Sequence, residues 1–454
     1  MTDAAPAAAA PPAAPSAALP AGRLPQAWRA AQSLCIKCGF CLPACPTYRE
    51  TGHEVSSPRG RLELMYRAAQ GHLALGDIHR ELWFCLGCMA CETACPSGIR
   101  FHDLLEAARI DDAAERARTR RPWLRRLLLD GILVRPGRLR AVVWLLALLQ
   151  RSGLRAVLGG HGLLRALAPG LARLERRTPP LDFPLDWRRA ARPYLAQGVE
   201  PGAQPGGAAV AEGDPVALLS GCVMEAAFGP VHAATAKVLR ANGYAVHVPA
   251  GQSCCGALHH HSGEEAPARA LARRNIEAFE ALGAAPVVVN SAGCGAMLKD
   301  YGTLLADDPA WAGRARQFSA RVRDVCELLA ERPLHPPTRA VPLAVAYDDP
   351  CHLLHAQKIA AAPRLLLGQV PGLRLVPLAE ADWCCGGAGS YSLLHPETSA
   401  RILARKMGHL RASGAEVVAT GNPGCLLQLR LGARDAGLPL RVVHPVELLA
   451  EAYE

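Results

Sequence analysis

From about residue 216 to the C-terminus, short apolar runs rich in β-branched residues alternate with alanine-rich stretches of helical character. The runs VALLSGCV, AVHVPAGQSCCG and APVVVNSAGCG are followed by a second set, LAVAYDDPC, LRLVPLAEADWCCGGAG and AEVVATGNPGC. Each set predicts strand, helix, strand, helix, strand, and therefore a parallel βαβ unit. Ahead of them the texture differs. Between Arg116 and Arg192 arginines alternate with leucines at helical spacing, and a Pro/Gly-rich link from Gly198 to Pro215 closes that region. Met1 to Gly22 is almost wholly Ala, Pro and Ser, without a basic n-region, which predicts a disordered tail rather than a signal peptide.

The cysteines strengthen the reading of a duplication. Cys222, Cys254 and Cys294 recur as Cys351, Cys384 and Cys425, offset by 129, 130 and 131 residues. So constant a shift marks an internal repeat. Each cysteine follows a predicted strand, and ligands of open parallel sheets collect at the carboxyl ends of the strands. Cys222, Cys254, Cys255 and Cys294 should therefore converge at one sheet edge, and Cys351, Cys384, Cys385 and Cys425 at another. Gly256, Gly386 and Gly387 suit a tight turn after each double cysteine. Cys326, within VRDVCELLAE, reads as a small hydrophobe packed on a helix.

Two further cysteine phrases lie nearer the N-terminus. Cys35, Cys38, Cys41 and Cys45, then Cys85, Cys88, Cys91 and Cys95, each follow C-x2-C-x2-C-x3-C-P. That spacing holds [4Fe–4S] clusters in bacterial ferredoxins, with the fourth cysteine ligating the other cluster. One cubane is thus expected on Cys35, Cys38, Cys41 and Cys95, and its partner on Cys85, Cys88, Cys91 and Cys45. Structural zinc does not ask for this spacing twice. With 17 cysteines in 454 residues the pattern speaks for metal and a reducing compartment, not a disulfide scaffold.

The net charge of +10 reflects the arginine-rich stretch, which includes Arg120-Arg121, Arg125-Arg126, Arg176-Arg177 and Arg188-Arg189. It carries no recognised nucleic-acid module, so a solvated helix face is expected and no nucleic-acid partner. The apolar run Ala141 to Leu149 is far shorter than the ~20 residues of a spanning helix. Edged by Arg138, Arg140 and Arg151, it fits either a buried core helix or a peripheral contact with a membrane or partner. No dinucleotide fingerprint stands out: Gly386-Gly387-Ala388-Gly389 reads as the turn after the double cysteine, and Leu158-Gly-Gly-His161-Gly has no strand before it. His259, His260 and His261 read as a solvent-exposed loop or helix start. The chain thus owns one-electron carriers and lacks a two-electron site. No catalytic residue is assigned.

Taken together, the phrases resemble the iron–sulfur subunit family of bacterial glycolate dehydrogenase (glycolate oxidase). The resemblance rests on CxxCGFCxxxCPTY (Cys35 to Tyr48), SSPRGR (Ser56 to Arg61), CPSGIRF (Cys95 to Phe101), SAGCGAMLKDYG (Ser291 to Gly302) and HAQK (His355 to Lys358). It covers nearly the whole chain after the tail. The duplicated half resembles CCG (cysteine-rich) domains of heterodisulfide reductase-type proteins, but their closing C-x-x-C is broken here by Met297 and Gln428. The eight cysteines of this half are accordingly either an additional metal or redox site or a packed thiol cluster.

The resemblance implies a mixed fold, α/β plus all-α. Its parts are a tail (1–25), a helical ferredoxin-like domain with two [4Fe–4S] clusters (26–112), a helical Arg-rich connector (113–212) and two CCG domains (213–335 and 336–454). It implies an electron-transfer subunit that relays electrons from FAD-containing subunits oxidising glycolate to glyoxylate, towards quinone or another acceptor. FAD is expected on the partner and not on this chain. The location implied is cytoplasmic, with peripheral contact at the inner membrane as an option. Related readings are the equivalent subunit of an anaerobic glycerol-3-phosphate or lactate-utilisation complex, a heterodisulfide reductase-like catalytic subunit, and a non-enzymatic redox sensor or scaffold.

Overall fold

The computed structural model describes residues 22–31, 35–119, 127–152, 178, 180–181, 183–184, 186–196 and 213–453. Most of the Ala/Pro tail, the arginine pairs at 120–121, 125–126 and 176–177, the LGGHG stretch and most of the Pro/Gly link lie outside these residues.

The C-terminal half holds two parallel four-stranded sheets. One comprises β1 (Asp214–Leu218), β2 (Tyr244–His247), β3 (Val287–Val289) and β4 (Val322–Asp324), in the order β2-β1-β3-β4. The other comprises β5 (Ala344–Tyr347), β6 (Arg374–Val376), β7 (Val417–Ala419) and β8 (Arg441–Val443), in the order β6-β5-β7-β8. The registers correspond: Ala217 faces Val287 as Val345 faces Val417. Helices cover both faces, so β3, β5 and β7 are buried throughout, as are the last three residues of β1, and they read as continuous apolar runs.

Each sheet has four strands where the sequence pattern predicts three. The extra strands, VRD and RVV, are three residues long and run straight into helices, with no turn residue to separate the periods. Asp324 ends β4 and caps the next helix by accepting the Cys326 N–H at 2.8 Å. His444 follows β8 and caps the last helix through Nδ1, which accepts the Val446 N–H at 3.2 Å. Cys326 itself is buried in the core between the sheets, as expected.

The N-terminal unit is helical. Helices Arg23–Ala31, Pro58–Ala69, Leu75–Trp83 and Phe101–Thr119 enclose a core of Leu24, Trp28, Met65, Ile78, Leu82 and Leu105. Two boundaries differ from expectation. Residues 23–25, assigned to the tail, belong to a helix whose first N–H groups, on Arg23 and Leu24, donate to the Asp111 carboxylate at 2.9 and 2.8 Å. The carboxylate satisfies donors that a helix start leaves unpaired, and favours the positive end of its dipole. The helix Phe101–Thr119 runs through residue 112, where the connector was expected to begin.

Of the connector, Trp187 is wholly buried in the first sheet's core, and its Nε1 donates to Glu225 Oε2 at 2.7 Å. The helix Pro136–Arg151 shows a divided character. Val143 and Ala147 are buried, whereas Val142, Trp144, Leu145 and Leu148 are exposed. It is therefore not the core helix that its composition allows. Arg138, Arg151, Arg188 and Arg189 lie at the surface, consistent with a solvated arginine face.

Candidate metal and redox centres

The two N-terminal cysteine loops share one backbone shape. Lys37 and Gly39 flank Cys38 at φ 55° and 85°, and Gly87 and Met89 flank Cys88 at φ 64° and 62°. Such left-handed residues curl the chain so that successive N–H groups face a concavity, an arrangement that suits an anionic group. Two clefts result. Cys35, Cys38, Cys41 and Cys95 line one, and Cys45, Cys85 and Cys88 line the other; Cys91 touches both. Cys95 thus faces the first loop and Cys45 the second, across the repeat. The chemistry of the donors fits a pair of cubanes: four thiols to a site, in loops whose N–H groups can approach sulfur, as Gly87 N–H does to Cys85 Sγ at 3.4 Å. Burial pushes the Cys88 and Cys91 thiols up, so their ionisation calls for a cation.

Two buried arginines, missed in the sequence, brace these loops. Arg61 of SSPRGR donates through Nη1 to Thr47 Oγ1 at 3.0 Å and Ser56 O at 2.6 Å, and through Nε to Glu81 O at 2.8 Å. Thr47 Oγ1 lies 3.2 Å from Cys45 Sγ. Arg109 donates through Nη2 to Leu82 O at 2.9 Å and Cys85 O at 2.8 Å, with its guanidinium over the Trp83 ring. The lost hydration of each cation is replaced by several hydrogen bonds to backbone carbonyls.

The duplicated cysteines converge as their positions predict. Cys222, Cys254, Cys255 and Cys294 gather beyond one sheet, with Cys222 Sγ 3.4 Å from Cys254 Sγ. Cys351, Cys384, Cys385 and Cys425 gather beyond the other, with Cys385 Sγ 3.4 Å from Cys425 Sγ. None of the eight forms a disulfide. In both sheets the chain crosses from one side to the other between the first and third strands, which makes these edges topological switch points. Gly256 and Gly386 turn the backbone at φ 84° and 81°, and a Cβ on Gly386 would lie 2.8 Å from Ser399 O. Hydrogen bonding from Cys384, then the adjacent His352, hold the Cys351 thiol below its usual range. Met297 packs into the first sheet's core, and Gln428 donates to Ser399 Oγ at 3.0 Å. Four thiols therefore fit a thiolate metal site at each edge, without the fifth cysteine of the heterodisulfide reductase type.

The four cysteine sets are contiguous. Cys88, Cys351 and Cys384 line a common cleft with His355 and Trp383. His355 Nδ1 and Lys358 Nζ of HAQK both meet Thr93 Oγ1 in the second loop, at 3.0 and 3.1 Å. Gln357 Nε2 between them donates to Ala292 O at 2.9 Å. Asn422 Oδ1 accepts the Gly293 N–H at 3.1 Å, beside Cys294, and Asn422 Nδ2 reaches Cys425 Sγ at 3.6 Å. The phrase SAGCGAMLKDYG has a similar bracing role, since Tyr301 donates to Cys255 O at 2.8 Å.

The three histidines correct the sequence reading. They occupy the helix Ala257–His261, but His259 is buried and its Nε2 lies 3.0 Å from Asp130 Oδ1. His261 Nδ1 lies 3.0 Å from Glu106 Oε1. Both carboxylates are far away in the chain, so no local pattern announces them.

Comparison with known proteins agrees with this geometry. The family model described as a 4Fe-4S dicluster domain matches residues 31–99, so the two N-terminal loops are those of a two-cluster [4Fe–4S] domain. The cysteine-rich domain model matches twice, at residues 216–299 and 345–430. A model for the linker region of the glycolate oxidase iron-sulfur subunit matches residues 120–178, much of which lies outside the described residues. The probable glycolate oxidase iron-sulfur subunit of Bacillus subtilis (strain 168) is 40% identical over 425 residues, which is 92% of this chain and 93% of that protein. The glycolate oxidase iron-sulfur subunit of Escherichia coli (strain K12) is 33% identical over 92% of this chain and 94% of its own length. Lactate utilization protein A of Exiguobacterium sp. is 33% identical over 52% of this chain and 97% of its own length.

Proposed function

Because the chain belongs to the family of glycolate oxidase iron–sulfur subunits, we propose that it is the electron carrier of a glycolate-oxidising complex. Glycolate loses two electrons and two protons in becoming glyoxylate, and a flavin on a partner subunit suits that two-electron step. Cubanes on this chain supply one-electron chemistry. The proposed ligands are Cys35, Cys38, Cys41 and Cys95 for one and Cys85, Cys88, Cys91 and Cys45 for the other.

The observation that carries this reading is that the two dicluster clefts share Cys91 and that Cys88 of the second loop lines a further cleft with Cys351 and Cys384. Cys35 and Cys38 are exposed, with Ile36 and Phe40 presenting apolar side chains beside them, a surface suited to a redox partner. Cys45 is buried in the second cleft, and Cys88 of that cleft also lines one with Cys351 and Cys384. Arg61 and Arg109 hold the loops in place while Phe84, Leu86, Trp383 and Tyr391 exclude water between the second loop and the Cys384 turn. We place an additional metal or redox centre on Cys351, Cys384, Cys385 and Cys425, with its duplicate on Cys222, Cys254, Cys255 and Cys294. Iron content of Cys384→Ser tests this: iron falling below wild type supports it, and unchanged iron with intact turnover refutes it.

Domain limits of about 22–119 for the dicluster unit, 120–212 for the connector, and 213–335 and 336–454 for the repeats complete the proposal. Among the described residues no helix is long and apolar enough to cross a membrane. The exposed Trp144, Leu145 and Leu148, with Arg138 and Arg151 near the helix ends, support a peripheral contact at an anionic membrane surface, where quinone would be the acceptor.

Glycolate-dependent dye reduction is the test of the whole reading. The isolated chain should give none, and adding the flavin subunits should restore it. Turnover by the chain alone would overturn the carrier role. Lactate supporting faster turnover than glycolate in the assembled complex would favour the lactate-utilisation relatives instead.

A further inference from the structure

A set of nitrogen and oxygen ligands lies where the dicluster unit and the first repeat meet, beside the second cysteine cleft, which His102 also lines. His102 and Glu106 stand one turn apart on the helix Phe101–Thr119, and His261 ends the short helix Ala257–His261. Their ligand atoms all lie within 4.8 Å of one another. His261 Nδ1 is 3.0 Å from Glu106 Oε1, and His102 Nε2 is 3.8 Å from the same oxygen. His352 approaches from the second repeat, its ring 5.9 Å from that of His261.

Two features distinguish this cluster from an ordinary buried ion pair. Glu106 is only 4% exposed, yet its Oε2 has no hydrogen-bond partner, and neither does His352 Nε2. The nearest cation, Arg109, is 3.8 Å from Glu106 Oε1, while its other donors serve Leu82 O and Cys85 O. An unpaired buried carboxylate oxygen costs free energy that a polar partner or a cation recovers.

We propose that His102, Glu106 and His261 bind a mononuclear first-row divalent cation, with His352 Nε2 placed to complete its shell. Two imidazoles and a carboxylate suit Zn2+, Fe2+ or Mn2+. Ligand bonds near 2.0–2.2 Å bring donor atoms about 3–4 Å apart, so the present separations need only a modest contraction. The protonation states also favour a cation. Burial pushes His102 down to about 3, which leaves a neutral imidazole at neutral pH. Burial opposes ionisation of Glu106, but the adjacent His261 outweighs it and holds the carboxyl below its usual range. The ion would join the dicluster helix to both repeats, because His352 Nδ1 already lies 3.4 Å from Cys351 Sγ. Its role is to lock the three units together.

The test is metal analysis of the full chain, purified anaerobically with its clusters and exposed separately to Zn2+, Mn2+ and Fe2+. Wild type should retain one equivalent of a divalent cation more than Glu106→Gln and His261→Ala, with cluster absorbance equal in all three. Affinity should fall at least ~10-fold in either variant. Co2+ loading distinguishes the site from the thiol sets: the Co2+ lost in Glu106→Gln should carry no sulfur charge-transfer band. Should His261→Ala fail to fold, the isosteric Glu106→Gln comparison stands alone. Equal cation content in wild type and Glu106→Gln, or loss of a thiolate-type Co2+ band, would overturn the proposal.

Discussion

Arg61 Nη1 donates to Thr47 Oγ1 at 3.0 Å, and that hydroxyl oxygen in turn lies 3.2 Å from Cys45 Sγ. A cation 1% exposed therefore braces the cysteine that crosses from the first loop to the second cleft. Arg61→Ala should lower stability by about 3 kcal/mol, since it leaves the Ser56 and Glu81 carbonyls without their donor. It should also speed loss of iron from the second cleft. Thermal melts and chelator-challenged iron release check both, and an unchanged release rate would remove Arg61 from the support of that site.

The crossed ligands separate by comparison. Cys95→Ser should perturb the same EPR signal as Cys38→Ser, and Cys45→Ser the same signal as Cys88→Ser. The clefts place Cys95 with the first loop and Cys45 with the second. If each fourth cysteine affected the signal of its own loop instead, the crossing would be wrong.

Gly386→Ala should destabilise the second repeat by about 2 kcal/mol, because φ is 81° and the new Cβ would meet Ser399 O at 2.8 Å. Gly408 provides the contrast: it lies in the helix Pro396–Ser413, and a methyl group added there would have no neighbour within 4 Å. Gly408→Ala should stabilise by about 0.5–1 kcal/mol. Denaturant midpoints of the two variants should move in opposite directions.

Asp324 provides a pH test. Burial raises its carboxyl to about 7 from an ordinary value of 3.8. The folded chain therefore binds a proton that the unfolded chain releases between those values. The stability this proton contributes is present below about pH 4 and lost as pH rises towards 7. Asp324→Asn keeps an oxygen for the Cys326 N–H and removes the titration. Its melting temperature relative to wild type should rise between pH 5.5 and pH 8, by the equivalent of about 2 kcal/mol. A constant difference across that range would mean that Asp324 stays ionised.

Much of the molecule was legible in the chain because its signals are local or repeated. The C-x2-C-x2-C-x3-C-P spacing specifies two loops, and their common pattern of left-handed residues follows from it. Cysteines offset by 129 to 131 residues announced two equivalent sheets with thiols at their edges. Strands buried on both faces declared themselves as apolar runs. The strands β4 and β8 did not, because each gives way to a helix within one residue, which leaves no turn to separate the two periods. Residues 23–25 also carried no sign of the Asp111 carboxylate that ends the tail.

What only the tertiary structure decided are the meetings between distant residues. Composition allowed the run Ala141 to Leu149 to be a core helix, yet packing buries Val143 and Ala147 and leaves Trp144 and Leu145 exposed. Three consecutive histidines looked solvated, but His259 found Asp130 and His261 found Glu106, 129 and 155 residues away in the chain. The order of the cysteine sets, with Cys88 beside Cys351 and Cys384, likewise depends on how the dicluster unit docks on the second repeat. Spacing determines which atoms one loop can gather. Which loops then lie side by side is settled by burial of side chains such as Phe84, Trp383 and Tyr391, whose apolar character is visible in the chain but whose partners are not.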